Sequence, residues 1–258
     1  AFDIISKICT TCRAAPLWIG NRLKIIIERD SDPVQLFSMG NIVKDSYEER
    51  YISLPEIPNC IQATILDQDA DFARLEISRT DLARWDEPSL VKQINLYGLT
   101  KISRASRECI FALKKAFATR RNIKWAAGMD AVICQPGDKV LFQHNTPKYG
   151  ESGGEILAIN RTNFTVKLSE YVKLFAGKEY SLLVRTKTNN MKTVSFVASE
   201  NIKTDTLTFP AGTSFNFQKG DLYAFGELGK ETREYRIVGI TRKDNLNLEL
   251  TAENYDSS

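Results

Sequence analysis

The residues of this sequence that could carry chemistry are few, and they lie far apart along the chain. Cys9 and Cys12 have the C-x-x-C spacing of a redox site or of half a zinc site. A zinc site needs a second pair of ligands, and the single histidine, His144, has no partner at a ligand spacing. A thioredoxin-like site needs a preceding strand, which the pattern does not predict. Both cysteines fall on the apolar side of a predicted helix, so we expect them to pack in a core.

An acidic segment is the second candidate, because alternating carboxylates can converge on one calcium ion. Asp67, Asp69 and Asp71 have this alternation. A calcium loop of this kind needs a glycine next, where the chain has Phe72, and it needs a closing glutamate that is missing. The segment therefore predicts a solvated turn between two strands.

His144 could serve a serine or cysteine nucleophile, but it follows a strand in a polar turn with no oxyanion hole suggested nearby. Gly153 and Gly154 precede a predicted strand instead of a helix, which is not how a phosphate-binding loop is built. A cell-wall hydrolase would need two carboxylates at a recognisable spacing, and we find no such pair. The sequence predicts no catalytic, cofactor-binding or metal-binding residue, and it predicts a protein that is not an enzyme.

The largest basic cluster lies on a helix predicted over residues 103–120. It comprises Arg104, Arg107, Lys114, Lys115 and Arg121. Such a face could contact phosphates, but no aromatic residues interleave with it, Glu108 interrupts it, and the net charge is only +3. We therefore favour a solvated helix face. A nucleic-acid-binding module that uses this face and an OB-like barrel is kept as the alternative function.

The apolar face of the same helix has the spacing of an amphipathic helix on a sheet. It comprises Ala105, Cys109, Ala112, Leu113, Ala116 and Phe117. Ser103 is the predicted N-cap, and burial of Leu113 and Phe117 should contribute about 1.5–3 kcal/mol each. Strands are predicted before the helix at residues 96–98 and after it at residues 123–127. Pro136 and Gly137 then stand in the order of a type II turn.

The length of 258 residues predicts two domains. We expect the fold class to be α+β, with a mixed α+β domain over residues 1–127 that has one main helix on a sheet. A small all-β barrel-like domain should follow over residues 128–258. The five cysteines are odd in number, which favours reduced thiols in a protein made in the cytoplasm. No apolar run is long enough to predict a transmembrane segment.

The first domain should begin with a helix over residues 3–13, ended by Pro16. One face of that helix is apolar: Ile4, Ile5, Ile8, Cys9 and Cys12. A half-buried strand should follow, with Leu23, Ile25 and Ile27 on its covered side. In the second domain we expect a flexible turn at residues 150–154. Two hairpins should follow it, with strands at 156–159 and 164–168 and at 180–186 and 192–197.

Several stretches resemble the central part of the tail tip attachment proteins (host-specificity or baseplate hub proteins) of long-tailed phages and prophages. They are residues 29–37, residues 40–46, Gly98-Leu99-Thr100 with the helix after it, residues 135–140 and residues 235–238. Their order and spacing carry the resemblance, which covers most of residues 1–160 and again about 232–255. It implies a structural role at the virion tail tip, for a protein synthesised in the cytoplasm of the bacterial host.

The resemblance also implies partners. Proteins of this family form a homotrimer at the distal end of the tail tube, contact the distal tail protein ring and the tape-measure protein, and open to let DNA pass without sequence recognition. It implies no small-molecule substrate and no cofactor. The family's upstream hub domain and its downstream fibronectin-like and receptor-binding regions have no counterpart here. We therefore expect host attachment to depend on other domains, and the oligomeric state of this stretch alone stays open.

Overall fold

The computed structural model describes residues 2–19, 21–84, 86–243 and 246–255. Within these residues the fold is mainly β, so the predicted α+β class is right only in part. The α-helices are α1 (Phe2–Cys9) and α2 (Ile102–Ala118). The strands up to α2 are β1 (Ala14–Ile19), β2 (Arg22–Ile27), β3 (Gln35–Phe37), β4 (Glu48–Tyr51), β5 (Cys60–Asp67), β6 (Ala73–Thr80) and β7 (Val91–Asn95). Those after it are β8 (Arg121–Ala127), β9 (Lys139–Phe142), β10 (Ser152–Asn160), β11 (Thr165–Leu174), β12 (Glu179–Arg185), β13 (Met191–Val197), β14 (Ile202–Thr208), β15 (Leu222–Glu227), β16 (Arg233–Arg242) and β17 (Leu248–Asn254).

The chain divides into two compact units. The first contains Ala1–Asp30 and Arg50–Asn122, and the second contains Ser31–Glu49 and Ile123–Tyr255. Residues 31–49 belong to the second unit because β3 pairs in parallel with β9. A parallel pairing joins segments that are distant in sequence, and no local sequence pattern predicts it. The domain division at residues 127 and 128 stays a prediction.

In the first unit, β5 is the central strand of a three-stranded sheet, with β6 antiparallel on one side and β7 parallel on the other. Helix α2 packs on this sheet, as the periodicity predicts. The core between them consists of Ile61, Ala63, Ile65, Ile77, Leu96, Leu99, Ala105, Cys109 and Leu113. Strand β6 is missing from the sequence prediction, although Ala73, Leu75 and Ile77 alternate along it with Arg74, Glu76 and Ser78 in the period of a strand.

Three details around α2 correct the prediction. The strand before the helix is β7, which ends at Asn95; residues 96–98 form a turn in which Gly98 has a φ of +82°. Lys101 and not Ser103 occupies the N-cap position, and its side chain makes no capping bond. Phe117 is 46% exposed because the core under the helix ends at Leu113. Its ring instead stacks under the Arg120 guanidinium, 3.5 Å from the ring centroid.

The second unit contains two six-stranded sheets. Sheet I has the strand order β13-β12-β15-β10-β11-β14, and sheet II has the order β3-β9-β16-β17-β8-β4. The predicted hairpins are confirmed as β10–β11 and β12–β13. The flexible turn predicted at 150–154 is wrong in part: Ser152, Gly153 and Gly154 are buried in β10, where they pair with β15.

Each sheet covers its own apolar core. The core of sheet I is rich in aromatic rings: Tyr180, Phe196, Phe209, Phe215, Phe217, Tyr223 and Phe225. The core of sheet II surrounds Trp125, which is completely buried between Phe37 and Phe142. Sheet I is barrel-like but not closed, because β13 and β14 follow each other in sequence and yet lie at its two opposite edges. The barrel prediction is therefore right in part.

Candidate assembly surfaces

The structure separates the two cysteines that the sequence places on one helix face. Cys9 is buried at the end of α1, whereas Cys12 lies in the following 3₁₀ turn and is exposed. The Cys12 thiol donates to the Cys9 carbonyl at 3.4 Å. The described residues hold no cluster of three or more His, Cys, Asp or Glu side chains suited to a metal ion. The prediction that these cysteines pack in a core is thus confirmed for Cys9 and wrong for Cys12.

The acidic segment forms the predicted turn between β5 and β6. Asp67 Oδ1 accepts a hydrogen bond from the Asp69 amide at 3.2 Å and so caps a single 3₁₀ turn. Asp71 and Phe72 both have positive φ values, and the Phe72 side chain is exposed. The Asp67 carboxylate therefore orders the turn, which accounts for its burial without a bound cation.

His144 is part of an aromatic core. Its ring stacks on Tyr47 with centroids 4.3 Å apart, and its Nδ1 accepts the Thr146 amide at 3.2 Å. Burial lowers the pKa of His144 below its ordinary value. The surroundings therefore favour the neutral form of the ring, which fills space in this aromatic core.

A polar network beside His144 was missed by the sequence reasoning. Glu49 accepts hydrogen bonds from the hydroxyls of Tyr47 at 3.0 Å and Tyr149 at 3.2 Å. Tyr235 donates to the Tyr149 hydroxyl at 3.2 Å, and burial raises the pKa of Tyr235. These residues are far apart in sequence, so only the pairing of the strands brings them together. These hydrogen bonds connect strands β4 and β16 of sheet II through Tyr149.

The basic face of α2 is partly neutralised by carboxylates. Lys115 forms an ion pair with Glu28 at 2.7 Å. Glu108, on the same helix, accepts two bonds from the Arg13 guanidinium at 2.9 and 3.0 Å. Arg107 is exposed. The exposed face of the helix thus carries charges of both signs, and the carboxylates weaken its attraction for the phosphates of a nucleic acid.

A polar pocket of about 300 Å³ lies within the second unit. Arg185 in its wall pairs with Asp130 at 3.0 Å. Asp221 is buried, but its carboxylate accepts the amides of Lys187 at 3.2 Å and Gln218 at 2.7 Å. Arg185, Asp130 and Asp221 thus hold the loops around this pocket in place.

An exposed apolar surface is formed by α1 with the antiparallel hairpin β1–β2, and we call it the apolar hairpin surface. Its exposed large side chains are Phe2, Ile4, Ile8, Trp18, Ile25 and Ile27. The sequence predicts that one side of α1 and of β2 is covered; the strand itself is confirmed, but Ile25 and Ile27, on the side expected to be covered, are 53% and 55% exposed. Pro16 does not end the helix as predicted: α1 ends at Cys9, and Pro16 lies inside β1. Exposed apolar patches of this kind mark interaction surfaces.

The open edges of sheet I are a second candidate surface. A groove of about 340 Å³ runs between β13 and β14. Its lining combines apolar side chains such as Leu174 and Phe196 with the hydroxyls of Thr204, Thr206 and Thr208. Unpaired strand edges expose amides and carbonyls that can bind another strand.

In the described part of the chain, no α-helix is both long and apolar enough to cross a bilayer.

Comparison with known proteins gives two kinds of match. Tip attachment protein J of Escherichia phage SECphi27 is 19% identical over 277 residues; the match covers 99% of this chain and 22% of the relative, so the chain spans about a fifth of that protein's length. Two solved structures are similar. The virion of a native gene transfer agent particle matches with a TM-score of 0.48 and 11% identity, over 90% of this chain and 34% of that chain. The tail protein from Neisseria meningitidis MC58 matches with a TM-score of 0.45 and 10% identity, over 98% and 54%.

A family model described as "Putative phage tail protein" matches residues 1–159, which is more than half of the chain. This range contains most of the stretches on which the resemblance in the sequence rests. The family-level expectation is thereby confirmed: the chain belongs to this family of phage tail proteins.

Proposed function

We propose that this chain is a structural component of the tail tip hub of a phage or prophage, and that it acts through contacts and catalyses no reaction. The observation that carries the proposal is the family match over residues 1–159. In the proposed assembly the chain is part of a homotrimer at the distal end of the tail, where it contacts the distal tail protein ring and the tape-measure protein. DNA passes through this assembly, and host-attachment domains are mounted on it.

The apolar hairpin surface supports a role based on contacts. Burial of an exposed Trp or Ile side chain is worth about 1.5–3 kcal/mol, and several such side chains lie together on one small element. A two-stranded hairpin is marginally stable by itself in water. A neighbour that covers α1, β1 and β2 would stabilise the hairpin and bind at the same time.

The alternative, a nucleic-acid-binding module, is weakened by the ion pairs on α2. The carboxylates of Glu28 and Glu108 partly cancel the positive charge that would attract phosphates. Binding of random-sequence DNA that falls steeply with salt would revive this alternative.

The experiment uses tails purified from the phage or prophage that encodes the chain. Quantitative mass spectrometry should find the chain in the tails at three copies per particle. The variant Trp18→Ser/Ile25→Ser should be lost from the tails while its circular dichroism spectrum is unchanged. A matched control, Tyr171→Ser/Leu228→Ser, also removes two exposed apolar side chains but lies outside the apolar hairpin surface, and it should be incorporated normally.

The outcomes separate two claims. Absence of the wild-type chain from purified tails would contradict the proposed function itself. Equal incorporation of both double variants would leave the tail assignment standing but would show that the apolar hairpin surface is not an assembly contact.

A further inference from the structure

A second polar pocket lies in the second unit, between the turn that joins β12 to β13 and the loop before β15. Its volume is about 220 Å³. Hydroxyl and amide side chains make up most of its lining: Thr186, Thr188, Asn190, Asn216 and Gln218. The described lining residues include one apolar side chain, that of Phe217. Pockets for drug-sized ligands measure about 300–1,000 Å³, so this pocket suits a ligand that is polar and smaller.

The walls of this pocket are fixed by hydrogen bonds. The buried Asp221 carboxylate accepts the amides of Lys187 at 3.2 Å and Gln218 at 2.7 Å, which connects the turn to the loop. Within the turn, the Asn189 amide donates to the Thr186 carbonyl at 2.8 Å. A ligand therefore meets groups that are already in position, which lowers the entropic cost of binding.

Two cations of the pocket have no counter-ion. Lys187 and Lys192 both line it, and within the described part of the chain neither ammonium group has an ion-pair or hydrogen-bond partner. Asp221 is the one carboxylate in the described lining, and its oxygens already accept backbone amides. The lining therefore has a net positive charge, and a lysine ammonium is a good partner for a carboxylate or a phosphate group.

The uncharged groups indicate what else the ligand must carry. The Gln218 side chain has no hydrogen-bond partner among the described residues, and Asn216 uses its Oδ1 to accept the Ser214 hydroxyl at 3.2 Å. An amide side chain offers both donors and an acceptor, so these two residues match hydroxyl groups, which also donate and accept. A ring with several hydroxyls and one anionic group is therefore complementary to the whole lining.

We propose that this pocket binds one sugar unit that carries a carboxylate or a phosphate group. Lys187 and Lys192 bind the anionic group, and the amide side chains of Asn216 and Gln218 bind ring hydroxyls. These contacts involve only the lining of the pocket and are independent of the tail assignment.

NMR titrations of the ¹⁵N-labelled full chain in phosphate-free buffer test the proposal. D-glucuronate and D-glucose 6-phosphate should each shift the backbone amides of Lys187 and Gln218 in a saturable way, with a dissociation constant of about 1 mM for ligands this small. D-glucose lacks the anionic group and inorganic phosphate lacks the ring, so each should bind about tenfold more weakly.

Paired variants separate the pocket from the overall charge. Lys187→Gln/Lys192→Gln should bind D-glucuronate about tenfold more weakly. Its melting temperature should be unchanged, since both lysines are exposed. The matched control Lys173→Gln/Lys203→Gln also removes two exposed positive charges, from paired positions of β11 and β14 outside the pocket, and should bind like the wild-type chain.

Three results would overturn the proposal. The first is a D-glucuronate titration without a saturable shift. The second is inorganic phosphate or random-sequence DNA that binds as tightly as the sugar phosphate, which would assign the pocket to phosphate groups in general. The third is a control pair that loses as much affinity as the pocket pair, which would attribute the binding to diffuse charge.

Discussion

Gly153 lies where the two sheets of the second unit meet, and replacing it with alanine should be costly. A Cβ at this position would fall well inside van der Waals distance of Gln143 Oε1 and 3.1 Å from the Ser38 Cβ. Gln143 is completely buried. Its Oε1 accepts the Met39 amide at 3.3 Å and its Nε2 donates to Asn145 at 3.0 Å. The side chain therefore cannot move without breaking hydrogen bonds.

Two costs add in the Gly153→Ala variant. Forcing an extra carbon into a packed site costs about 1–3 kcal/mol. Leaving a buried amide group without a partner costs about 1–3 kcal/mol more. We expect the free energy of unfolding of the second unit to fall by about 2–6 kcal/mol, which is a large part of the stability of an ordinary domain.

Urea unfolding followed by circular dichroism measures this loss. Gly239→Ala is the matched control, because Gly239 also lies in a strand of the second unit and an added Cβ there meets nothing within 4 Å. The control should be neutral or slightly stabilising. If the two variants differ by less than about 0.5 kcal/mol, which is the ordinary effect of an unconstrained surface change, the packing argument is refuted.

Three further predictions concern single side chains. Leu113→Asp places a charge in the core under α2 and should abolish cooperative unfolding of the first unit, whereas Phe117→Ser, which removes a half-exposed ring and its contact with Arg120, should lower its free energy of unfolding by only about 1–2 kcal/mol in urea titrations. In the native protein a thiol reagent such as DTNB should modify Cys12 promptly and leave the four buried cysteines untouched, among them Cys134, whose pKa burial raises to about 12; prompt reaction of a second thiol would contradict the burial. Burial lowers the pKa of His144 in the folded chain, so the unfolded chain binds the proton more readily and stability should fall as the pH drops below about 6.5; in thermal melts His144→Phe should show a shallower decline, and an unchanged one would contradict this account.

Elements defined by local chemistry were predictable. Alternating apolar residues and polar turns predict the hairpins β10–β11 and β12–β13. The order of Pro136 and Gly137 predicts a type II turn, and Gly137 has a φ of +94° with the Asp138 amide bonded to the Gln135 carbonyl at 3.1 Å. In these cases a few neighbouring residues determine the backbone.

The candidate surfaces were not predictable, because exposure depends on what packs against an element. The alternation of Ile25 and Ile27 indicates a strand, but it does not tell whether another element covers that side. Strand β1 was missed because Pro16 was interpreted as a helix terminator, although proline is also compatible with the edge of a two-stranded hairpin. The free edge of β13 follows from the strand order of sheet I, which joins segments distant in sequence.

Cryo-electron microscopy of tails from the phage or prophage that encodes this chain tests the central claim most directly. The proposal predicts density for the two six-stranded sheets at the distal end of the tail, in three copies around the tube axis, with the apolar hairpin surface covered by a neighbouring subunit. A reconstruction of intact tails in which this fold is missing from the distal end would contradict it.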